Sequence, residues 1–285
     1  MNVGFIGTGT MGQPMVANLL KKGFGVLAWD VVPTALAAAV KLGATAAGSI
    51  ADVAKQSDLI VTMLPSSSNV EAVYLGDGGI LSSVPAGRLC VDMSTIDPNV
   101  SRRVAAALAR KQVRFMDAPV SGGVPGAVDG TLAIMVGGDA RDLEEARPAL
   151  AAMGANVIHV GAVGTGEAAK LCNNLIAGVA AVAVSEAFRI AEGFGVDPKV
   201  LTDVISKSSG NTWVMQQAHP VPMVFKIHLN LFVKISNMFF LHGLKNHPGS
   251  KTGPEMHPGK LLLPGVQHTP WIFRKSQVNG FMFLR

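Results

Sequence analysis

The feature that most constrains this chain is a glycine-rich turn near its start. Residues 3–6 are typical of a buried strand, residues 7–12 read GTGTMG, and residues 11–22 space their apolar side chains as a helix does. In such a unit Gly7 permits the tight turn, Gly9 lets a ligand approach the backbone and Gly12 lets the helix pack on the strand. Free N–H groups at the helix start favour a pyrophosphate. We predict a dinucleotide-binding domain, the alternative being a tight turn only.

Strand and helix patterns alternate through about the first 160 residues. This alternation predicts an α/β fold with a doubly wound, mostly parallel Rossmann sheet over residues 1–163. Thr165 is the expected N-cap of a long helix that runs to about Glu192, and Asp197 opens another helix. Residues 164–218 are therefore predicted to begin an all-α second domain that is truncated. Further strands are predicted at residues 26–29, 59–63, 89–92, 114–117, 132–136 and 157–160, and further helices at residues 99–111 and 141–153.

Residues 219–285 differ in composition from the rest of the chain. The first 218 residues contain 36 alanines and the last 67 contain none. The last 67 also hold eight Lys or Arg against one acid, so their net charge is +7, whereas the preceding part holds 16 basic against 18 acidic residues, or −2. We predict a separate tail over residues 219–285. The slightly acidic main body predicts no nucleic-acid binding.

The cysteine content, the apolar runs and the metal-ligating residues give expectations about the cellular compartment, membrane association and metal binding. Two cysteines, Cys90 and Cys172, are too few for a disulfide framework and favour a reducing compartment. No leader precedes the first strand, and the apolar run at residues 175–184 has about half the length of a membrane span, so we expect a buried helix and no membrane association. No residue cluster suggests a metal site.

Candidate ligand-binding residues follow several of the predicted strands. Asp30 could accept hydrogen bonds from ribose hydroxyls and would repel a 2′-phosphate, which favours NAD over NADP; it could also be a turn residue. Leu64-Pro65 and Ser94-Thr95 also follow strands, where open α/β sheets bind ligands, although ordinary loops occur there too. A hydroxyl and exposed N–H groups in the SGG segment at residues 121–123 would suit a carboxylate, and the alternative is a flexible turn.

Lys170 is the candidate acid–base residue. It lies one turn into the long helix and shares a helix face with Asn173 and Asn174. A mid-helix lysine is usually solvated, but the neighbours of Lys170, including Leu171, Leu175 and other small or apolar residues, favour a desolvated amine. Such an amine can act as an acid or base near neutral pH.

Six segments together resemble the β-hydroxyacid dehydrogenase family: VGFIGTGTMGQPM, TMLPSSSN, DMSTIDP, FMDAPVSGG, GTLAIMVGGD and GTGEAAKLCNN. The resemblance runs from residue 2 to about residue 222. It implies NAD-dependent oxidation of a small 3-hydroxy acid, with 3-hydroxyisobutyrate as the preferred candidate substrate. Reduction of tartronate semialdehyde is an alternative. A second alternative is an inactive dinucleotide binder or a chromatin-associated relative.

The same resemblance implies a role for each candidate residue. Lys170 would take the hydroxyl proton and Asn174 would orient the reacting oxygen. Substrate contacts would come from Ser121, Gly122, Gly123 and Thr95. Cofactor contacts would come from Gly7, Thr8, Gly9, Thr10, Met11, Gly12, Asp30, Leu64, Pro65, Asn69 and Thr95.

The resemblance carries two broader expectations. A eukaryotic source would place the protein in the mitochondrial matrix, and any other source would place it in the cytoplasm. A homo-oligomer is expected, and the altered tail would weaken it. In that tail Lys245 stands at the position of a family lysine that approaches the cofactor, but the aspartate that follows this lysine in the family is missing here.

Overall fold

The structure, a computed structural model, describes residues 1–217. All seven predicted strands are present, and two strands of two residues each are additional. The strands are β1 Asn2–Ile6, β2 Gly25–Trp29, β3 Thr45–Ala46, β4 Leu59–Thr62, β5 Leu89–Asp92, β6 Arg114–Asp117, β7 Val120–Ser121, β8 Ala133–Gly137 and β9 Asn156–Gly161.

The helices alternate with the strands up to β9 and then follow one another. Side-chain caps start several of them, for example Ser66 and Asp197, each of which accepts a backbone N–H. In the described residues the helices are α1 Gly12–Lys21, α2 Pro33–Lys41, α3 Ile50–Gln56, α4 Ser67–Leu75, α5 Ile80–Ser83, α6 Pro98–Ala109, α7 Gly123–Asp129, α8 Ala140–Met153, α9 Thr165–Gly193, α10 Pro198–Ser206 and α11 Trp213–Gln217.

The strands form one sheet in the order β3-β2-β1-β4-β5-β6-β8-β7, with β9 paired to β8. The first six strands of this order are mutually parallel, β8 runs antiparallel to β6 and β7, and β9 is parallel to β8. The predicted doubly wound, mostly parallel Rossmann sheet is confirmed. Because the strand order reverses between β1 and β4, their carboxyl ends flank the crevice where such sheets bind ligands.

The core lies on both faces of the sheet. Successive residues of β1 point to opposite sides, so Phe5 enters one buried cluster with Met15 and Ile6 enters the other with Ile60. Burial on both faces explains why these strands are continuous apolar runs in the sequence.

The chain divides into two compact units, Met1–Val179 and the residues from Ala180 onward, and α9 runs through the boundary. In the described part of the second unit, Asp197 caps α10 by accepting the N–H of Lys199 at 2.7 Å. The predicted tail over residues 219–285, with Lys245, lies outside the described residues.

The first turn of α9 is held by an aspartate from the sheet. One oxygen of Asp117, at the end of β6, accepts the N–H of Gly164 at 2.6 Å, and the other accepts the N–H of Glu167 at 2.8 Å. The expectation that Thr165 is the N-cap is wrong, because its hydroxyl donates to the Ala162 carbonyl instead. The cap therefore also fastens α9 to the sheet.

Burial along α9 is confined to its first turn and a half. Gly166, Glu167 and Lys170 are its buried residues, whereas Leu175 is 46% exposed and Ile176 is 71% exposed. The expectation of a buried helix over residues 175–184 is therefore wrong for these side chains. By length and composition alone α9 could cross a membrane, a property that core helices of soluble proteins share.

Replacing Asp117 with alanine should destabilise the first unit. Two buried N–H groups would lose a carboxylate acceptor, so we expect the free energy of unfolding to fall by roughly 3 kcal/mol. Urea unfolding followed by circular dichroism measures this. The matched control is Asp139→Ala, which removes the exposed cap of α8 and should lower the free energy of unfolding by clearly less. Equal losses in the two variants would contradict the anchoring role.

Candidate active site

The glycine turn leaves room for a ligand between β1 and α1. Gly7 has φ +97°, and a Cβ there would collide with the Met63 carbonyl oxygen. A Cβ on Gly12 would collide with the Gly7 carbonyl oxygen, whereas one on Gly9 would meet no atom within 4 Å. The turn is therefore packed from behind and open at Gly9. This arrangement fits the pyrophosphate of a dinucleotide.

Asp30, after β2, shapes that turn. Its Oδ2 accepts the Thr8 N–H at 2.6 Å and the Thr8 hydroxyl at 3.3 Å, and its Oδ1 accepts the Val32 N–H at 2.8 Å. Asp30 is thus a turn residue as well as a candidate ribose ligand. Thr8 is fully buried and its hydroxyl serves Asp30, whereas Gly9 and Thr10 are exposed. Met11 packs against the core.

A buried hydrogen-bond network joins the two loops that follow β4 and β5. The Ser94 hydroxyl accepts the Leu64 N–H at 2.9 Å and donates to Asp92 at 2.5 Å. The Thr62 hydroxyl also donates to Asp92, at 2.7 Å, and lies 3.1 Å from the Tyr74 hydroxyl. Sequence reasoning missed Asp92 and Thr62. Polar residues at the ends of two apolar strands were the available signal.

The other predicted residues of these loops lie close to that network in the chain. Thr95 is half-buried between β5 and α6, and Pro65 is exposed between β4 and α4. Asn69 is exposed in the first turn of α4, where its N–H donates to the Ser66 hydroxyl at 3.2 Å. The structure therefore places all three beyond the carboxyl ends of neighbouring parallel strands.

The segment predicted to hold a carboxylate is a strand-to-helix junction. Ser121 ends β7 and Gly123 begins α7. Gly122 has φ +130° and Gly123 has φ +61°, values that favour glycine. The segment thus has a defined backbone path. Ser121 is half-buried, and both glycines are exposed.

Lys170 is buried, with 9% of its surface exposed, and burial lowers the pKa of its amine. Leu175 is exposed on the same helix, so the apolar helix neighbours do not account for this burial. The turn before Lys170 is fastened to the sheet by Asp117, and the Glu167 carboxylate accepts the N–H of Ile96 at 3.1 Å. Asn174, one turn after Lys170, is half-buried.

Three buried acids lie close together at the start of α9. Asp92 and Asp117 are paired neighbours on β5 and β6, and Glu167 lies on α9. Burial raises the pKa of Asp92 to about 6 and that of Glu167 to about 9. Each also feels a like charge, Asp92 from Asp117 and Glu167 from Asp92. Within residues 1–217 no group of three His, Cys, Asp or Glu residues could hold a metal ion.

Two family profiles cover the described chain. Residues 2–161 match the NAD binding domain of 6-phosphogluconate dehydrogenase, and residues 164–232 match the NAD-binding domain of NADP-dependent 3-hydroxyisobutyrate dehydrogenase. The chain belongs to the β-hydroxyacid dehydrogenase family. The glycine turn of this family member, with its open face at Gly9, is therefore part of a domain for a nicotinamide cofactor.

Individual members of the β-hydroxyacid dehydrogenase family are similar over most of the chain. The mitochondrial 3-hydroxyisobutyrate dehydrogenase of Bos taurus is 45% identical over 222 residues, which are 78% of this chain and 66% of the bovine protein. The NAD-dependent L-serine dehydrogenase of Pseudomonas aeruginosa is 42% identical over 79% of this chain and 75% of its own. A structure of Mycobacterium tuberculosis 3-hydroxyisobutyrate dehydrogenase with L-serine has a TM-score of 0.75 and 37% identity over 85% of each chain.

The buried position of Asp92 predicts a pH dependence of stability. Its pKa in the folded protein, about 6, lies above the ordinary value of 3.8, so the folded state holds this proton more tightly than the unfolded chain. The resulting stabilisation is complete below about pH 4 and is lost as the pH rises through about 6. Asp92→Asn should remove this contribution.

Urea unfolding from about pH 4 to about pH 7 tests this prediction. The free energy of unfolding should fall more with rising pH in the wild type than in Asp92→Asn. Thr62→Val, which removes a donor to Asp92 and keeps the carboxyl, should retain the wild-type trend. Parallel curves for wild type and Asp92→Asn would contradict the raised pKa.

Proposed function

We propose that the chain is a nicotinamide-dependent dehydrogenase of small 3-hydroxy acids, with Lys170 as its acid–base residue. The observation that carries the proposal is the buried amine of Lys170 on a helix turn fastened to the carboxyl ends of β5 and β6. Ligands bind at that edge of an open α/β sheet. An amine whose pKa is lowered by burial can accept a proton closer to neutral pH than an exposed lysine can.

Each proposed role follows from the chemistry of the side chain. A bound nicotinamide cofactor would supply the acceptor for the hydride that leaves the substrate carbon. The Lys170 amine accepts the hydroxyl proton, so the alcohol becomes a carbonyl; in the reverse direction the ammonium returns that proton. Asn174, one turn on, orients the same oxygen. Ser121 and the N–H groups of Gly122 and Gly123 bind the substrate carboxylate, and Thr95 completes the contacts.

The proposed substrate is 3-hydroxyisobutyrate, oxidised to methylmalonate semialdehyde in valine degradation. The named activity of the bovine relative supports it, and that relative's mitochondrial name supports a mitochondrial location if the source is eukaryotic. L-Serine is the second candidate, because a Pseudomonas relative is named for it and the Mycobacterium enzyme was solved with it. Both compounds carry a carboxylate and a 3-hydroxyl, and they differ in the group on the carbon between, a methyl or an ammonium.

Replacing Lys170 with alanine should abolish most turnover without loss of cofactor binding. Loss of a positioned acid–base group lowers rates by about 10²–10⁴-fold, and the cofactor contacts proposed here lie on other elements. The absorbance of the reduced nicotinamide gives the rate with 3-hydroxyisobutyrate and with L-serine. Quenching of tryptophan fluorescence gives the dissociation constant of NAD.

Lys207→Ala is the matched control, because Lys207 is exposed and pairs with Asp203 on α10. This variant should stay within about twofold of the wild-type rate. Turnover by the wild type and by Lys170→Ala at equal rates would overturn the role of Lys170. Turnover with neither substrate, together with intact NAD binding, would overturn the proposed dehydrogenase activity.

NAD is the proposed cofactor, and Asp30 is the residue proposed to select it. Asp30→Asn removes the charge that would repel a 2′-phosphate and keeps one oxygen, which can accept either the Thr8 N–H or the Val32 N–H but not both. The ratio of NADP to NAD affinity should rise about tenfold, or roughly 1.4 kcal/mol. Fluorescence titration with both cofactors measures it. Asp58→Asn, at the opposite edge of the sheet before β4, is the control; an equal rise there would contradict selection by Asp30.

A further inference from the structure

Glu167 occupies the turn of α9 that precedes Lys170 and is wholly buried. Its Oε2 accepts the N–H of Ile96, in the loop after β5, at 3.1 Å, and its own N–H donates to Asp117, at the end of β6, at 2.8 Å. Two elements of the sheet edge thus hold this one residue. Glu167 and Lys170 are three residues apart, so their side chains project from the same face of the helix.

The second oxygen of Glu167, Oε1, is buried and has no hydrogen-bond partner among residues 1–217. The same holds for Oδ2 of Asp92. An ionised carboxylate with a buried oxygen that accepts no protein donor is costly, because burial penalises its charge. Protonation removes that cost. The residue therefore fits its surroundings as a neutral acid that keeps the hydrogen bond to Ile96.

Most of the surroundings of Glu167 raise the pKa of its carboxyl. Burial, together with repulsion by Asp92 on β5 and Asp117 on β6, raises its pKa to about 9. The Ile96 N–H and Lys170 lower it. Burial and the two acids outweigh these, so the surroundings of Glu167 favour its neutral form. An ionised Glu167 would raise the pKa of Lys170 and hold its proton.

We propose that Glu167 is a positioning residue for Lys170. It fixes the first turn of α9 against the loop after β5, and as a neutral acid it leaves the Lys170 amine without a carboxylate partner. The proposal rests on the acid–base role proposed for Lys170. An ion pair at this place would keep the lysine charged and unable to accept the hydroxyl proton. A neutral hydrogen-bonded acid holds the helix without that effect.

Two substitutions in the full-length chain separate the parts of this role. Glu167→Gln keeps an oxygen for the Ile96 N–H and is neutral at every pH. Glu167→Met has a similar length and no acceptor, so the Ile96 N–H loses its partner. The readout is the pH dependence of acetylation of Lys170 by acetic anhydride, measured by mass spectrometry against the exposed Lys207 in the same molecules. Acetylation follows the fraction of neutral amine and requires no turnover.

In Glu167→Gln the Lys170 amine should titrate within about half a pH unit of the wild type below pH ~8, and turnover should stay within about threefold. In Glu167→Met the loosened turn should hydrate Lys170, raise its apparent pKa by about one unit, and lower kcat by about tenfold or more. A fall of one unit or more in Glu167→Gln would show that wild-type Glu167 is ionised, and would overturn the proposal. An apparent pKa of Lys170 that is the same in Glu167→Met as in the wild type would mean that Glu167 only fills space, and would also overturn the proposal.

Infrared spectroscopy tests the neutral state directly. Protein carrying ¹³C-labelled glutamate should show the C=O stretch of a protonated carboxyl at neutral pH, and Glu167→Gln should lack that band. Its absence from the wild type would overturn the neutral acid. Neither this readout nor acetylation depends on turnover, so a chain inactive with both substrates would refute the proposed function and leave the test of Glu167 intact.

Discussion

The carboxylate of Asp117 joins the sheet to the helix that carries Lys170, and the candidate active site depends on this junction. Both of its oxygens accept N–H groups from the start of α9. The backbones must also come close, because a Cβ on Gly137 would lie 2.6 Å from Asp117 Oδ1 and 2.8 Å from the Gly166 nitrogen. Glycine at these positions allows the approach. The position of Lys170 is thus set by β6 and β8 more than by its own helix.

The same junction gathers buried acids, and hydrogen bonds oppose the effect of burial on the pKa of each to a different extent. Burial raises the pKa of Asp117, and the N–H groups accepted by its two oxygens oppose that rise. Among residues 1–217, Asp92 has donors on one oxygen, and the Glu167 carboxyl has one donor, the N–H of Ile96. Because donors stabilise the charged form, the acid with the fewest has its pKa raised furthest. Within one buried cluster, the number of donors thus accompanies how far each pKa is raised.

The local part of this structure could be predicted from the sequence, and the part formed between distant segments could not. Apolar runs located all seven longer strands, whereas β3 and β7 have two residues each and too little pattern to detect. The geometry of the glycine turn could be predicted because the residues that form it are contiguous in the sequence. The cap of α9 was assigned to the nearby Thr165, since nothing local indicates that Asp117, 47 residues before Gly164, supplies the bonds.

Lys170 shows how a correct expectation can rest on the wrong cause. Its apolar neighbours predicted a desolvated amine, and the amine is buried, but Leu175 and Ile176 are exposed. Burial comes instead from the attachment of one helix turn to the sheet edge. Periodicity describes which residues share a face of α9 and cannot say how far along the helix that face is covered. Glu167 was overlooked for the same reason, because an acid in a first helix turn ordinarily stabilises the helix from the surface.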